Sequence, residues 1–176
     1  PLGLAPTSST TATLVLGDAL AVALLEARGF TVDDFARSHP AGALGKRLLL
    51  YVKHLMHTGA ELPKVSPDTP MNKVLYEISG KRLGLTTIVD ENDTLLGVFT
   101  DGDLRRMIDQ QQGFDVSLAV SEVMIKNPLT ISQDTRAVKA LEKMHDKKVN
   151  QFVVVDNANK VIGVITMHDL IEAGVN

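Results

Sequence analysis

Apolar positions change their spacing several times along the chain, and each change marks an element. From about Thr11 to Arg28 nearly every position is apolar or small. This predicts a helix capped by Ser9 or Thr10 and closed by Gly29. A helix that is apolar on nearly every side is normally buried in a larger core. Thr31-Val32-Asp33-Asp34 has the form of a capping box and opens a short helix. That helix must stop before Pro40, because the residue ahead of a proline avoids the α region. A second short helix is expected over Lys46 to Val52, and a linker over 57–64. Met71, Val74, Leu75 and Ile78 then show helical spacing. Two apolar runs follow, one ending at Ile88-Val89 and one from Leu95 to Phe99. The polar stretch Asp90-Glu91-Asn92-Asp93 between them reads as a hairpin turn. Asp103 opens a helix to about Asp109.

The same succession then returns. Ala137, Leu141 and Met144 mark a helix, and strands are expected over Phe152 to Val155 and Val161 to Ile165, joined at Asp156-Asn157-Ala158-Asn159. Gly97-Val98-Phe99-Thr100-Asp101-Gly102-Asp103-Leu104 is matched 66 positions later by Gly163-Val164-Ile165-Thr166-Met167-His168-Asp169-Leu170. The same offset pairs Ser66-Pro67-Asp68-Thr69 with Ser132-Gln133-Asp134-Thr135, Lys81 with Lys147, and Val89-Asp90 with Val155-Asp156. Such a repeat decides the architecture. Each copy reads β-α-β-β-α, the first over about Leu55 to Ile108 and the second over about Val123 to Val175. One copy, of about 55 residues, is small for an independent core. Two copies stacked through their sheets would bury each other's apolar faces. The fold class is α+β. The repeat leaves the apolar helix near the N-terminus without a partner, and the first residue is Pro, so the chain is expected to be a piece of a longer protein.

Composition adds exclusions. The 176 residues are 44% hydrophobic and 22% charged, as expected for one or two globular domains. The net charge is −3, and there are two Tyr and no Trp, which disfavours nucleic acid as a partner. No Cys is present, so there is no disulfide framework or thiolate chemistry; a cytoplasmic location fits. The longest apolar run, Ala19 to Leu25, is too short to span a bilayer, and Asp18 precedes it, so no membrane association is expected. No metal or cofactor is called for.

The repeated motif carries the candidate chemistry. Thr100 and Thr166 close a strand, and Asp103 and Asp169 cap the helix that follows. A strand-to-helix corner turns backbone N–H groups toward an anion. A carboxylate there can accept two hydrogen bonds from a vicinal diol such as a ribose, and the Thr hydroxyl can reach a phosphate. Asp is also a favoured cap, stabilising by about 1 kcal/mol with no ligand at all. Both readings stand on the residues alone. Lys81-Arg82 and Lys147-Lys148 sit at equivalent turns. Arg105 and Arg106 follow the first Asp, whereas Ile171 and Glu172 follow the second, so the first cleft is better placed for an anion. His168 occupies a variable slot beside Asp169 and reads as a surface residue.

These residues carry a resemblance. The Gly-apolar-apolar-Thr-x-x-Asp-Leu ending, duplicated in β-α-β-β-α units, resembles a CBS domain pair over about Leu55 to Val175. The resemblance implies two clefts for adenosine-type ligands, with Asp103 and Asp169 on the ribose and Thr100 and Thr166 facing the phosphate. Arg105 and Arg106 are then possible phosphate or carboxylate partners. Upstream, Leu4-Ala5-Pro6-Thr7-Ser8-Ser9-Thr10-Thr11, Gly17-Asp18-Ala19-Leu20-Ala21 and Ala36-Arg37-Ser38-His39-Pro40-Ala41-Gly42-Ala43-Leu44-Gly45 resemble the end of an α/β sugar isomerase (SIS) domain. A SIS tail over 1–52 followed by CBS domains over 55–110 and 121–176 is similar to the arabinose 5-phosphate isomerase family. That resemblance implies a homotetrameric parent. It interconverts ribulose 5-phosphate and arabinose 5-phosphate for 3-deoxy-manno-octulosonate (Kdo) and lipopolysaccharide synthesis. His39 is the implied acid/base; the other active-site groups of the family lie upstream, so this piece alone is expected to be inactive. Its CBS pair would sense a nucleotide such as AMP, ATP or CMP-Kdo. The alternative is an oligomerisation element with empty clefts.

Overall fold

The computed structural model describes residues 6–38, 49–109 and 115–175. The first helix, α1 (Thr7–Ala27), starts four residues before the expected Thr11. Ser9 and Thr10 do not cap it. Pro6 holds the cap position, and the hydroxyls of Thr10 and Thr11 bond back to the Pro6 and Thr7 carbonyls inside the first turn. At the other end Gly29 takes the left-handed conformation (φ 60°) expected of it. Every α1 residue is exposed. At 21 residues the helix is, by length and composition, long and apolar enough to cross a membrane, which corrects the estimate made from the run Ala19 to Leu25. Asp18 near its middle argues against that use, since an acid at the bilayer centre costs about 2.5–3.5 kcal/mol on insertion scales.

The capping box before α2 (Val32–Ser38) forms as expected: Thr31 N and Oγ1 donate to Asp34 Oδ2, and Asp34 N donates to Thr31 Oγ1. Hydrogen bonds from Thr31, with help from Arg37, hold the Asp34 carboxyl at about 2. Residues 39–48, including His39 and the first three residues of the expected helix over 46–52, lie outside the described residues. The end of that helix is corrected: Tyr51 is extended against Arg136, and Val52–His54 is a separate 3-10 turn.

The expected linker over 57–64 is also corrected. It holds a 3-10 turn (Gly59–Glu61) and leads into strand β1 (Lys64–Val65). Then come α3 (Met71–Lys81), β2 (Leu85–Val89), β3 (Leu95–Thr100) and α4 (Asp101–Asp109). A 3-10 turn (Val120–Glu122) leads to β4 (Ile125–Lys126), β5 (Thr130–Ser132), α5 (Ala137–Lys147), β6 (Gln151–Val155), β7 (Val161–Thr166) and α6 (Met167–Glu172). One sheet runs β1-β2-β3-β4 and the other β5-β6-β7. The first pair in each is parallel and the remainder antiparallel, with a register shift at the same point of both hairpins, Ile88/Val89 and Val154/Val155.

Three apolar clusters make the core. Met71, Val74, Ile78, Ile88 and Phe99 fill the space between the first sheet and its helices. Ile131, Ala140, Met144, Phe152 and Ile165 do so for the second. Leu85, Leu95, Val98, Val153 and Val164 join the two sheets face to face, so the copies bury each other as expected. The hairpin turns also meet: Leu95 N donates to Asn159 O and Val161 N to Asp93 O.

The lead-in segments are exchanged. Val52 precedes the first repeat but is buried in the core of the second, and Val120 precedes the second but is buried in the core of the first. Matching backbone bonds hold them there, from Val52 N to Thr135 O and from Val120 N to Thr69 O. Each lead-in then crosses the glycine of the other copy's last strand. A Cβ on Gly97 would lie 2.7 Å from Met124 Sδ and 2.8 Å from Ile125 O; one on Gly163 would lie 2.6 Å from Met56 Sδ and 3.2 Å from His57 O. The repeated Gly is thus required by close approach.

Candidate functional site

Both strand-to-helix corners of the motif use Thr and Asp as a reciprocal cap. Thr166 is the cap residue of α6, and Asp169 stands three positions on. Thr166 N and Oγ1 donate to Asp169 Oδ2 at 2.8 and 2.7 Å, and Asp169 N donates to Thr166 Oγ1 at 3.2 Å. Thr100 and Asp103 repeat this with 2.9, 2.6 and 3.2 Å. The expectation that Asp103 opens α4 is corrected by this arrangement. Thr takes the cap, and the Asp closes a capping box from within the first turn. One carboxylate oxygen of each Asp is consumed by that box.

The second oxygen differs between the copies. Arg106 Nη2 donates to Asp103 Oδ1. At the matched position of the second copy stands Glu172, and a different residue arrives: His57 Nε2 lies 3.1 Å from Asp169 Oδ1 while its Nδ1 lies 2.9 Å from Glu61 Oε2. Burial pulls the His57 imidazole down, but the carboxylates of Glu61 and Asp169 outweigh it and raise its pKa above 6.5. The chain separation of 112 residues between His57 and Asp169 left this contact invisible to motif reading. Its faint signal is a change of offset: Met56-His57 stands where Met124-Ile125 does, two positions out of step with the rest of the repeat.

Between the copies runs a cleft of about 1240 Å³ lined by residues of both motif corners. Thr100, Thr166 and Asp169 line it, whereas Asp103 is buried behind Thr100. Arg106 reaches the cleft; Arg105 is exposed and does not line it. His168 is exposed, as expected, with Nε2 3.8 Å from Glu172 Oε2. The turns at the C-termini of α3 and α5 bring Arg82 and Lys148 to the cleft in left-handed conformations, φ 59° and 54°. A non-glycine residue there is uncommon, and both copies keep a cation rather than the usual Gly. Four Lys or Arg side chains face three carboxylates across the cleft, in a chain of net charge −3. The arrangement offers cations for a phosphate, hydroxyls for polar contacts, and an apolar floor from Leu85, Val98 and Val153. Among the described residues no cluster of His, Asp or Glu could hold a metal.

The model of the CBS domain matches residues 52–110 and again 120–176. The chain belongs to the CBS domain family. Solved structures agree with the fold of this CBS pair. A crystal structure of CBSX2 in complex with AMP shares 25% identity and a TM-score of 0.61, covering 72% of this chain and 96% of that one. The CBS domain pair of MJ0100, in complex with 5′-methylthioadenosine and S-adenosyl-L-methionine, gives 20% identity and a TM-score of 0.61, covering 69% of this chain and 93% of that one. Among curated proteins, arabinose 5-phosphate isomerase KdsD of Francisella tularensis is 55% identical over 98% of this chain and 52% of its own length. The proteins of the same name in Pseudomonas aeruginosa and Escherichia coli K12 are 53% and 52% identical over 99% of this chain and 53% of their own length. The chain thus spans about half the length of the curated relatives it matches. The similarity extends beyond the CBS pair into the first 50 residues.

Proposed function

We propose that the chain is the regulatory part of an arabinose 5-phosphate isomerase and that its CBS cleft binds a nucleotide. The parent interconverts ribulose 5-phosphate and arabinose 5-phosphate for Kdo and lipopolysaccharide synthesis in the cytoplasm. The observation that carries this is identity above half across nearly the whole chain, SIS-like stretch included, to relatives bearing that name. In this reading α1 packs within the rest of the SIS domain, which explains an apolar helix with no buried residue. His39, outside the described residues, is the acid/base that moves a proton between adjacent carbons of the open-chain sugar, a task an imidazole side chain can serve in both directions. The parent is a homotetramer, and the isolated chain lacks isomerase activity.

For the cleft, the support is chemical. Asp169 offers one oxygen to a ribose diol once His57 yields it; Asp103, buried at the other end, becomes available only when Arg106 moves off it. Thr100 and Thr166 reach toward the phosphate, and Arg82, Arg106 and Lys148 supply compensating charge. AMP, ATP and CMP-Kdo are the candidates. A ligand regulates the enzyme only if it binds two of its states unequally. One observation favours the non-enzymatic alternative, an assembly element with no ligand: all four oxygens of the two carboxylates already have partners within the chain.

The test is an isomerase assay on the full-length protein. It should convert arabinose 5-phosphate to ribulose 5-phosphate. His39→Asn should lower kcat by about 100-fold or more, the usual share of a general acid/base. Full activity in His39→Asn, or activity in residues 1–176 alone, would overturn the assignment.

A further inference from the structure

The two ends of the cleft are capped alike but closed differently. Asp103 is closed by Arg106 from its own helix, on an arm whose side chain is 63% exposed. Asp169 has no such neighbour, since Glu172 replaces that Arg. His57 closes it from the exchanged lead-in, where the matched residue of the other copy is Ile125. The backbone that carries the ring is held in place: His57 N donates to Val164 O at 2.8 Å and Val164 N to His57 O at 3.1 Å. Each ring nitrogen faces a carboxylate, at 2.9 and 3.1 Å. An imidazole can donate to both only when protonated; the neutral ring has one N–H.

We propose that His57 gates the second end of the cleft, with its imidazolium competing with a ligand diol for Asp169 Oδ1. This rests on the nucleotide reading of the cleft and makes its two ends unequal. A diol that takes Asp169 Oδ1 displaces His57 Nε2–H. The ring then gives up that proton to solvent and keeps Nδ1–H on Glu61. Nucleotide at the Asp169 end therefore tightens as pH rises, while the end closed by Arg106 does not respond. Of the charged groups around the ring, the two carboxylates outweigh the rest. Glu61 on the preceding 3-10 turn and Asp169 on α6 favour the proton. Lys81 of α3 donates to Ala60 O beside Glu61. On α6, Glu172 stands by the exposed His168.

The experiment combines an NMR titration of the His57 ring with calorimetric titrations of AMP, and of ATP and CMP-Kdo beside it, at pH 6 and pH 8. The chain is used unaltered, as His57→Ile, which installs the residue of the other copy, and as Glu61→Gln. The titration midpoint of His57 should lie above 6.5 and fall in Glu61→Gln. One of two AMP sites should weaken on going from pH 8 to pH 6, by up to about tenfold per unit below that midpoint, the limit for release of one proton. His57→Ile should abolish the dependence. AMP ionises identically against every variant, so the difference isolates His57. AMP binding that is equal at both pH values, or equally pH-dependent in His57→Ile, would overturn the gate and leave the nucleotide reading intact. No binding of AMP, ATP or CMP-Kdo to any variant at either pH would overturn both.

Discussion

Replacing the motif glycines with alanine tests the exchange of lead-in segments. The added methyl of Gly97→Ala would sit 2.7 Å from Met124 Sδ and 2.8 Å from the Ile125 carbonyl oxygen. The sulfur can swing aside, but the carbonyl belongs to β4, which is paired to β3 at Val98↔Ile125. Relief there requires the strands to part. Overpacking of this kind costs about 1–3 kcal/mol. The alanine returns part of that, about 0.4–1 kcal/mol, by restricting the unfolded chain. The net loss for Gly97→Ala is about 1–2 kcal/mol, which in a domain of this size lowers Tm by about 2–8 °C. Gly163→Ala meets mainly the flexible end of Met56, with the His57 carbonyl at 3.2 Å, and should lose less. Urea and thermal unfolding of both variants, and of Gly163→Ala with Met56→Ala, provide the assay. Rescue by the second substitution should be larger at Gly163 than rescue by Met124→Ala at Gly97. A neutral Gly97→Ala, or a costlier Gly163→Ala, would refute the argument.

Thr166→Ala removes the oxygen that receives Asp169 N and should cost about 1 kcal/mol in urea unfolding, as loss of a helix cap does; an unchanged midpoint would show that the box contributes nothing. Val52→Ala deletes two fully buried methyls, about 2 kcal/mol with the cavity included. Its loss of hydrogen-exchange protection should fall on β5 to β7, and a loss confined to β2 and β3 would contradict the exchange. Asp34, held at about 2 by Thr31 and Arg37, has a depressed native pKa. Its contribution to α2 is therefore present above about 3.8 and lost as pH falls toward 2. An NMR midpoint near the ordinary carboxylate value would contradict the capping box seen there.

Much of the fold can be read in the residues. Helices and hairpins of the two copies announce themselves through apolar spacing and the offset of 66, because those signals are local. Leu85, Leu95, Val153 and Val164 face each other as the stacking argument requires. The shortest strands cannot be read in that way. Lys64–Val65 and Ile125–Lys126 hold two residues each, too few to show a period, and exist only through pairing with β2 and β3. The exchange of Val52 and Val120 is equally hidden, since neither residue carries a mark of the distant core it enters. At the site, the Thr and Asp pairs are legible as a motif but their partners are not. Arg106 can be guessed from its helix spacing, whereas His57 reaches Asp169 only through the fold. Ser9 and Thr10 misled because a hydroxyl near a helix start can bond back to a carbonyl as readily as cap.

The central claim is that the cleft between the two copies is a nucleotide site, and a thermal-shift titration tests it most directly. AMP, ADP, ATP, CMP and CMP-Kdo are each added to the unaltered chain, to Asp103→Ala and to Asp169→Ala. At about 100 times its dissociation constant a ligand stabilises the fold by about 2.7 kcal/mol. The account predicts a clear rise in Tm with at least one nucleotide, abolished by substitution of the Asp whose end it occupies. No rise with any of them would contradict it and leave Asp103 and Asp169 as members of helix capping boxes in an assembly module.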